Sequence, residues 1–134
     1  MVTYSDLTDG LEASQLRSFF EDWPLVDAEN HLRLLKTAPY VVVARFEHEI
    51  IGFGVAVTDG VLSAHIPFLE VRPDFRGQGI GREIARLLLM KIDLPQISVA
   101  GGTELREFFV EMGFSAKTMM IRRRDEARPV TDAE

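Results

Sequence analysis

Phe68-Leu-Glu-Val-Arg-Pro-Asp-Phe-Arg-Gly-Gln-Gly-Ile-Gly-Arg-Glu-Ile-Ala-Arg-Leu-Leu-Leu-Met90 is the stretch on which the reading of this chain turns. It passes from an apolar strand through a Pro-Asp turn and a glycine-rich loop into a helix. Within Arg76-Gly77-Gln78-Gly79-Ile80-Gly81 the glycines clear side chains from a run of backbone N–H groups. The following helix points the positive end of its dipole the same way, so the segment is suited to receive an anion. Its spacing does not match Gly-x-Gly-x-x-Gly, and no Lys-Ser/Thr pair follows, which argues against NAD and ATP. A tight turn or close packing also calls for glycine, so a purely structural loop is the competing reading.

The pattern extends in both directions. Val61 to Arg72 reads as a long strand interrupted by Pro67, where the missing ladder donor predicts a bulge or bend. Gly79 to Ile92 reads as a helix, because Ile80, Ile84, Leu87, Leu88 and Lys91 recur at helical spacing. Upstream, Val2 to Tyr4 suits an edge strand, and Leu11, Gln15, Leu16, Phe19 and Phe20 mark a helix running to about Asp22, before Trp23-Pro24 breaks it. Asp27 is placed to cap a second helix ending at Lys36. Tyr40 to Phe46 is a continuous apolar run, read as a buried strand; Glu47-His48-Glu49 connects it to a return strand, Ile50 to Val57. Gly52 and Gly54 in that strand point to a bulge or a close approach of the helix layer. Downstream come a short strand, Gln96 to Ala100, a helix from Thr103 to Met112 closed by Gly113, and a final strand pair over Phe114 to Arg123. The expectation is one α/β domain over residues 1–124, with a mixed, mostly antiparallel sheet of six or seven strands flanked by about four helices. Residues 125–134 read as a flexible tail.

With 134 residues, the chain is long enough to bury roughly two-thirds of its unfolded surface in a single core. It contains no cysteine, so disulfides, zinc thiolate sites and a cysteine acyl-enzyme are excluded, and no metal is expected. The net charge of -6 weighs against a nucleic-acid partner, whose phosphates require a basic face. Lys117, Arg122 to Arg124 and Arg128 form the one basic cluster and read as a solvated edge or tail. No stretch resembles a signal peptide or approaches ~18 uninterrupted apolar residues, so no membrane association is expected and the cytoplasm is the expected compartment.

The loop fits Arg/Gln-x-x-Gly-x-Gly, with Arg76, Gly79 and Gly81 in its fixed positions, and the match extends to Val71-x-Pro73 before it and Glu111-Met-Gly-Phe114 near the end. Over most of its length the chain resembles the GCN5-related N-acetyltransferases. That resemblance implies acetyl-CoA as co-substrate and an amine-bearing small molecule as acceptor. Arg76, Gly77, Gln78, Gly79, Ile80, Gly81 and Arg82 would then hold the coenzyme diphosphate. A fourth strand that bulges and parts from the fifth would leave the backbone of Leu69 and Val71 to pair with the pantetheine arm. The segment from Phe20 to Asp27 would line the acceptor mouth, with Asp22 favouring a cationic amine and Trp23 offering a flat wall; the plainer reading is a solvated acidic loop with Trp23 over the core. Pairing into homodimers through the C-terminal strands is also implied.

Attack by a primary amine of pKa near ~10.4 requires removal of a proton worth roughly 4 kcal/mol at neutral pH. Glu70 is the candidate general base. Alternation along the strand puts it on one face with Ile66, Phe68 and Arg72, and an ion pair with Arg72 or Arg76 is the structural alternative. His65 could act through water, whereas His31 and His48 read as surface residues. The chain departs from the family where a tyrosine commonly protonates the leaving thiolate: that position is Phe109, and a commonly polar position before it is Gly102. A thiol of pKa near ~8.5 leaves with little help. Transferase activity and a non-catalytic acyl-CoA sensor are therefore both open, with a nucleotide-binding regulatory domain as a third reading.

Overall fold

The computed structural model describes residues 1–19, 27–100, 105–126 and 128–130. Five strands, β1 (Val2–Ser5), β2 (Tyr40–Phe46), β3 (Glu49–Thr58), β4 (Ser63–Val71) and β5 (Gln96–Val99), form one sheet in chain order. All neighbours are antiparallel except β4 and β5, which are parallel. The helices are α1 (Ala13–Leu16), α2 (Ala28–Thr37), α3 (Ile80–Lys91) and α4 (Arg106–Glu111).

Helices cover both faces, which is why β2 is apolar without alternation. On one face α3 contributes Ile80, Ile84 and Leu88, followed by Ile92, to a cluster with Val42, Ala44, Ile51, Ala56, Ala64 and Ile66. On the other, Leu16, Phe19 and Leu35 pack on Val41, Val43, Phe53 and Val55. Each aliphatic side chain so buried contributes about 1.5–3 kcal/mol, so the i, i+4, i+8 stripe of α3 is a principal tie of helix to sheet. Asp27 caps α2 by accepting from the Glu29 N–H at 3.0 Å. The two-residue hairpin between β2 and β3 places both Glu47 and His48 at positive φ, 50° and 72°, the geometry that matches strand twist in tight hairpins.

Gly52 and Gly54 mark the closest approach of α3 to β3. A Cβ on Gly54 would lie 2.7 Å from Cγ2 of Ile84, and one on Gly52 would lie 2.8 Å from its Cδ1. The sequence expectation of a close helix approach is met here.

Three expectations change. The first helix is shorter: α1 spans four residues and passes into a 3-10 turn over Arg17–Phe19, while its expected end at Asp22 lies outside the described residues. The expected strand pair over Phe114 to Arg123 is absent: these residues form no strand, and Met119, Met120 and Ile121 are exposed. Among the described residues the sheet therefore has five strands instead of six or seven. Strand propensity is realised only against a partner edge, and β5 offers four residues, whereas the apolar side chains of this segment are consecutive and do not alternate.

The third change is in β4. Phe68 lies opposite Val55 and His65 opposite Val57, so two steps along β3 match three along β4. One extra residue sits at the Ile66–Pro67 step, a bulge at the expected proline. Phase is lost across it. Ala64 and Ile66 point to α3, but beyond the bulge Phe68 packs on the α1/α2 side. Glu70 shares the face of Phe68, and the alternation that grouped it with Ile66 does not hold.

Two outcomes test this packing. Gly54→Ala forces a stiff, fully buried Ile84 to move and is expected to cost about 1–3 kcal/mol, read by urea unfolding. Asp59 closes the β3–β4 turn by accepting from the N–H groups of Val61, Leu62 and Ser63 at 2.8, 2.7 and 3.1 Å; these bonds hold its carboxyl well below the ordinary value of 3.8. A depressed folded-state pKa stabilises above the unfolded value and is lost as pH falls. The stability gap between the wild type and Asp59→Asn should be widest near neutrality and shrink as pH drops through 3.8 and below.

Candidate cofactor and acyl-transfer site

The parallel pairing of β4 and β5 is short. Ser63, Ala64, His65 and Ile66 match Gln96, Ile97, Ser98 and Val99, and a last bond runs from the Ala100 N–H to the Ile66 carbonyl at 3.2 Å. Among the described residues the pairing ends at this bond, which leaves a gap beside β4 over Leu69 to Val71 with no described strand opposite. The Arg72 N–H donates back to the Ile51 carbonyl of β3 at 2.8 Å, so by alternation the backbone groups of Leu69 and Val71 turn the other way, into the gap. Their side chains face α3, and a Cβ on Gly81 would touch both, at 3.7 and 3.5 Å.

The loop from β4 to α3 is anchored at its start. Arg72 reaches Asp74 at 2.8 Å and Glu49 at 3.3 Å and lies 5.0 Å over the Phe75 ring. The Arg72 guanidinium holds the Asp74 carboxyl below its ordinary value. A 3-10 turn, Pro73–Phe75, leads to Arg76, whose Nε donates to the Val71 carbonyl at 3.0 Å. Gly77 and Gly79 both have φ of 81°, the left-handed region that an L side chain enters only at a cost of about 1–2 kcal/mol. Gly79 is the N-cap of α3, and its carbonyl accepts from the Glu83 N–H at 3.1 Å. Among the described residues, no protein acceptor takes the N–H groups of Gly77, Gln78, Gly79, Ile80, Gly81 or Arg82. An added Cβ at Gly77 or Gly79 would meet nothing within 4 Å.

The remaining predicted residues are placed as follows. Ile80 is buried and fastens the first turn of α3 to the core. Arg82 is turned toward α4, 3.6 Å from Glu111 and 5.1 Å from the Phe108 ring centroid, so its charge is shared with the protein. Gln78 is exposed. Glu70 is half-buried on the α1/α2 face opposite Phe53. Arg72 is held by Asp74 and Glu49, and Arg76 donates to the Val71 carbonyl. Asp22, Trp23 and Gly102 lie outside the described residues.

Two histidines gain surroundings that the sequence did not give them. His31, expected at the surface, is half-buried in α2, with its ring centroid 4.5 Å from that of Phe68. Its Nδ1 lies 2.9 Å from the Asp27 carbonyl, which can only accept, so Nδ1 carries the proton. A weak signal existed: His31 lies four residues after the cap and one turn before Leu35. His65 lies with Nδ1 2.7 Å from Ser98 Oγ across the β4–β5 pairing. Phe109 is buried against Phe108, Phe114, Leu69 and Val99 on the α3 side of the gap.

The arrangement can hold a diphosphate on the loop amides and an extended amide-bearing arm along β4. Among the described residues, no group of three or more His, Asp or Glu residues is gathered for a metal, and no helix is long and apolar enough to cross a membrane.

The model of the acetyltransferase (GNAT) family matches residues 7–114. A crystal structure of a protein assigned as an acetyltransferase from Deinococcus radiodurans R1 is 32% identical, covering 92% of this chain and 88% of its own, with a TM-score of 0.79. A GNAT-family acetyltransferase from Streptococcus pneumoniae TIGR4, 20% identical over 92% of this chain and 98% of its own, has the same fold with a TM-score of 0.70. "GCN5-related N-acetyltransferase 2, chloroplastic" of Arabidopsis thaliana is 30% identical over 73 residues, 52% of this chain; the match spans 28% of that protein's length.

Proposed function

This chain belongs to the GNAT acetyltransferase family, and from that premise we propose that it transfers an acetyl group from acetyl-CoA to the amine of a small acceptor. The observation that carries the proposal is the row of N–H groups from Gly77 to Arg82, which take no protein acceptor among the described residues and lie beside the gap along β4. Arg76, Gly77, Gln78, Gly79, Ile80, Gly81 and Arg82 supply the diphosphate site. Side chains contribute less than amides, because Arg76 is tied to Val71 and Arg82 to Glu111. Leu69 and Val71 supply a strand edge, with the Val71 carbonyl shared with Arg76, to which an extended arm adds as a further strand. A backbone N–H of that same edge serves as donor to the developing oxyanion.

Glu70 takes the first proton, the one that converts the acceptor from ammonium to amine. Glu70 lies opposite Phe53 of β3, on the strand face that Phe68 also occupies. Asp22 and Trp23 complete the acceptor side in this reading. Phe109 can donate no proton, so the leaving thiolate departs without help from α4; a positioned general acid is worth ~10² to 10⁴. The proposal includes a single domain over residues 1–124, a tail from 125, action in the cytoplasm, and pairing of two copies over the exposed run Met119 to Ile121.

The test begins with the loop. Gly79→Glu places a negative charge in the diphosphate path and is expected to weaken coenzyme A binding by at least ~10²-fold in calorimetry. Gly60→Glu controls for backbone strain, since Gly60 has φ of 80° and equally open surroundings; it should bind normally. Equal affinity in both variants would make the loop a structural turn. Thiol release from acetyl-CoA with polyamines, amino acids and aminoglycosides then reads transfer, and tight binding without release for any acceptor favours the sensor. Phe109→Tyr is expected to raise kcat; an unchanged rate would mean that the leaving group needs no acid from α4.

A further inference from the structure

Acetyl transfer to an amine moves two protons. One leaves the ammonium before attack. The second must leave the nitrogen after the C–N bond has formed, while the sulfur gains one as the C–S bond breaks. Glu70 is assigned the first; nothing in the proposal so far carries the second, because the α4 position is Phe109, packed among apolar side chains.

His65 and Ser98 are register partners on β4 and β5, one residue below Ile66 and Val99, the last matched pair among the described residues. Both are half-buried. Ala64 and Ile66 point to α3, so His65 and Ser98 occupy the opposite face, the one that Phe68 and Glu70 occupy beyond the bulge. The imidazole Nδ1 and the serine Oγ are 2.7 Å apart, within the range for direct proton exchange. An imidazole has a second nitrogen on the far side of the ring, and a serine hydroxyl can accept and donate at once. The two side chains thus form a three-atom relay, Nε2, Nδ1 and Oγ, at the foot of the gap.

The geometry points to His65 and Ser98 as the shuttle that carries the second proton from nitrogen to sulfur, an inference that rests on the transferase reading above. After attack, the substituted nitrogen gives its proton to Nε2 of His65, Nδ1–H passes one to Ser98 Oγ, and the Ser98 O–H protonates the departing sulfur. The C–N bond forms, the C–S bond breaks, one proton moves in net, and the pair returns to its starting charge without any oxidant or reductant. Ser98 thereby replaces the hydroxyl that Phe109 lacks, from β5 instead of α4.

The competing role is a plain staple between β4 and β5, and the experiment separates the two. With acetyl-CoA and the best acceptor from the amine panel, Ser98→Ala and His65→Ala are each expected to lower kcat by ~10² or more, with KM for acetyl-CoA within about two-fold of the wild type. The double variant should be no slower than either single, because the pair acts as one unit. Ser98→Thr, which keeps a hydroxyl, should restore most of the rate, and added imidazole should partly rescue His65→Ala. The wild-type solvent deuterium isotope effect on kcat, with a curved dependence on deuterium fraction, should flatten in both single variants. An unchanged kcat, or a loss confined to coenzyme affinity and unfolding midpoint, overturns the shuttle and leaves the transferase reading intact. A wild type that binds acetyl-CoA yet releases thiol to no amine overturns both.

Discussion

One additional residue in β4, at the Ile66–Pro67 step, is the constraint on which the rest of the site depends. Below it, β4 is an ordinary inner strand bonded on both sides. Above it, β4 stays paired with β3, and among the described residues it has no further pairing with β5; the bulge bends the strand there and proline contributes no N–H. The same extra residue reverses the phase of the side chains. Leu69 and Val71 are delivered to the α3 side and Glu70 to the α1/α2 side. A gap with backbone on its edge, a carboxylate on one face and an apolar wall on the other all follow from that one insertion.

The helix that supplies the loop amides is held in register with this gap by contact with β3. Gly52 and Gly54 let Ile84 sit against the strand backbone, and Ile80 secures the first turn. A helix held by side chains at its N-terminal end cannot slide without opening the core, so the row of N–H groups from Gly77 to Arg82 keeps a fixed position relative to Leu69 and Val71. The arginines near the loop are largely occupied by the protein. Arg72, Arg76 and Arg82 brace Asp74, the Val71 carbonyl and Glu111 respectively. In the proposed function, anion binding would rely on fixed amide dipoles more than on mobile charge, which suits a protein whose net charge is -6.

The phenyl ring of Phe109, which carries no hydroxyl, limits what the α3 side of the gap can do. Phe108, Phe109 and Phe114 form edge-to-face contacts there, with ring centroids 5.4 and 5.1 Å apart in successive pairs. They offer no proton. The polar groups near the foot of the gap lie on the opposite face instead, in β4 and β5. Polar side chains on that face and apolar packing on the other are a separation imposed by the fold, since α3 and α4 cover one side of the sheet and α1 and α2 the other.

The sequence alone determined the family, the loop and most of the elements, because those depend on local properties: glycine spacing, helical periodicity, a cap at Asp27, a proline that must interrupt a ladder. The bounds of β2 were legible to the residue, since a continuous apolar run between turn residues admits one reading. The strand expected over Phe114 to Arg123 was not decidable from propensity, which says what a segment favours and not whether an edge awaits it. Tertiary structure alone decided which face Glu70 occupies, that His31 lies against Phe68, and that His65 meets Ser98 across 33 positions of sequence. Each of these is set by strand register or helix packing. Register is a property of two segments at once, so one inserted residue can overturn a reading based on alternation in either of them.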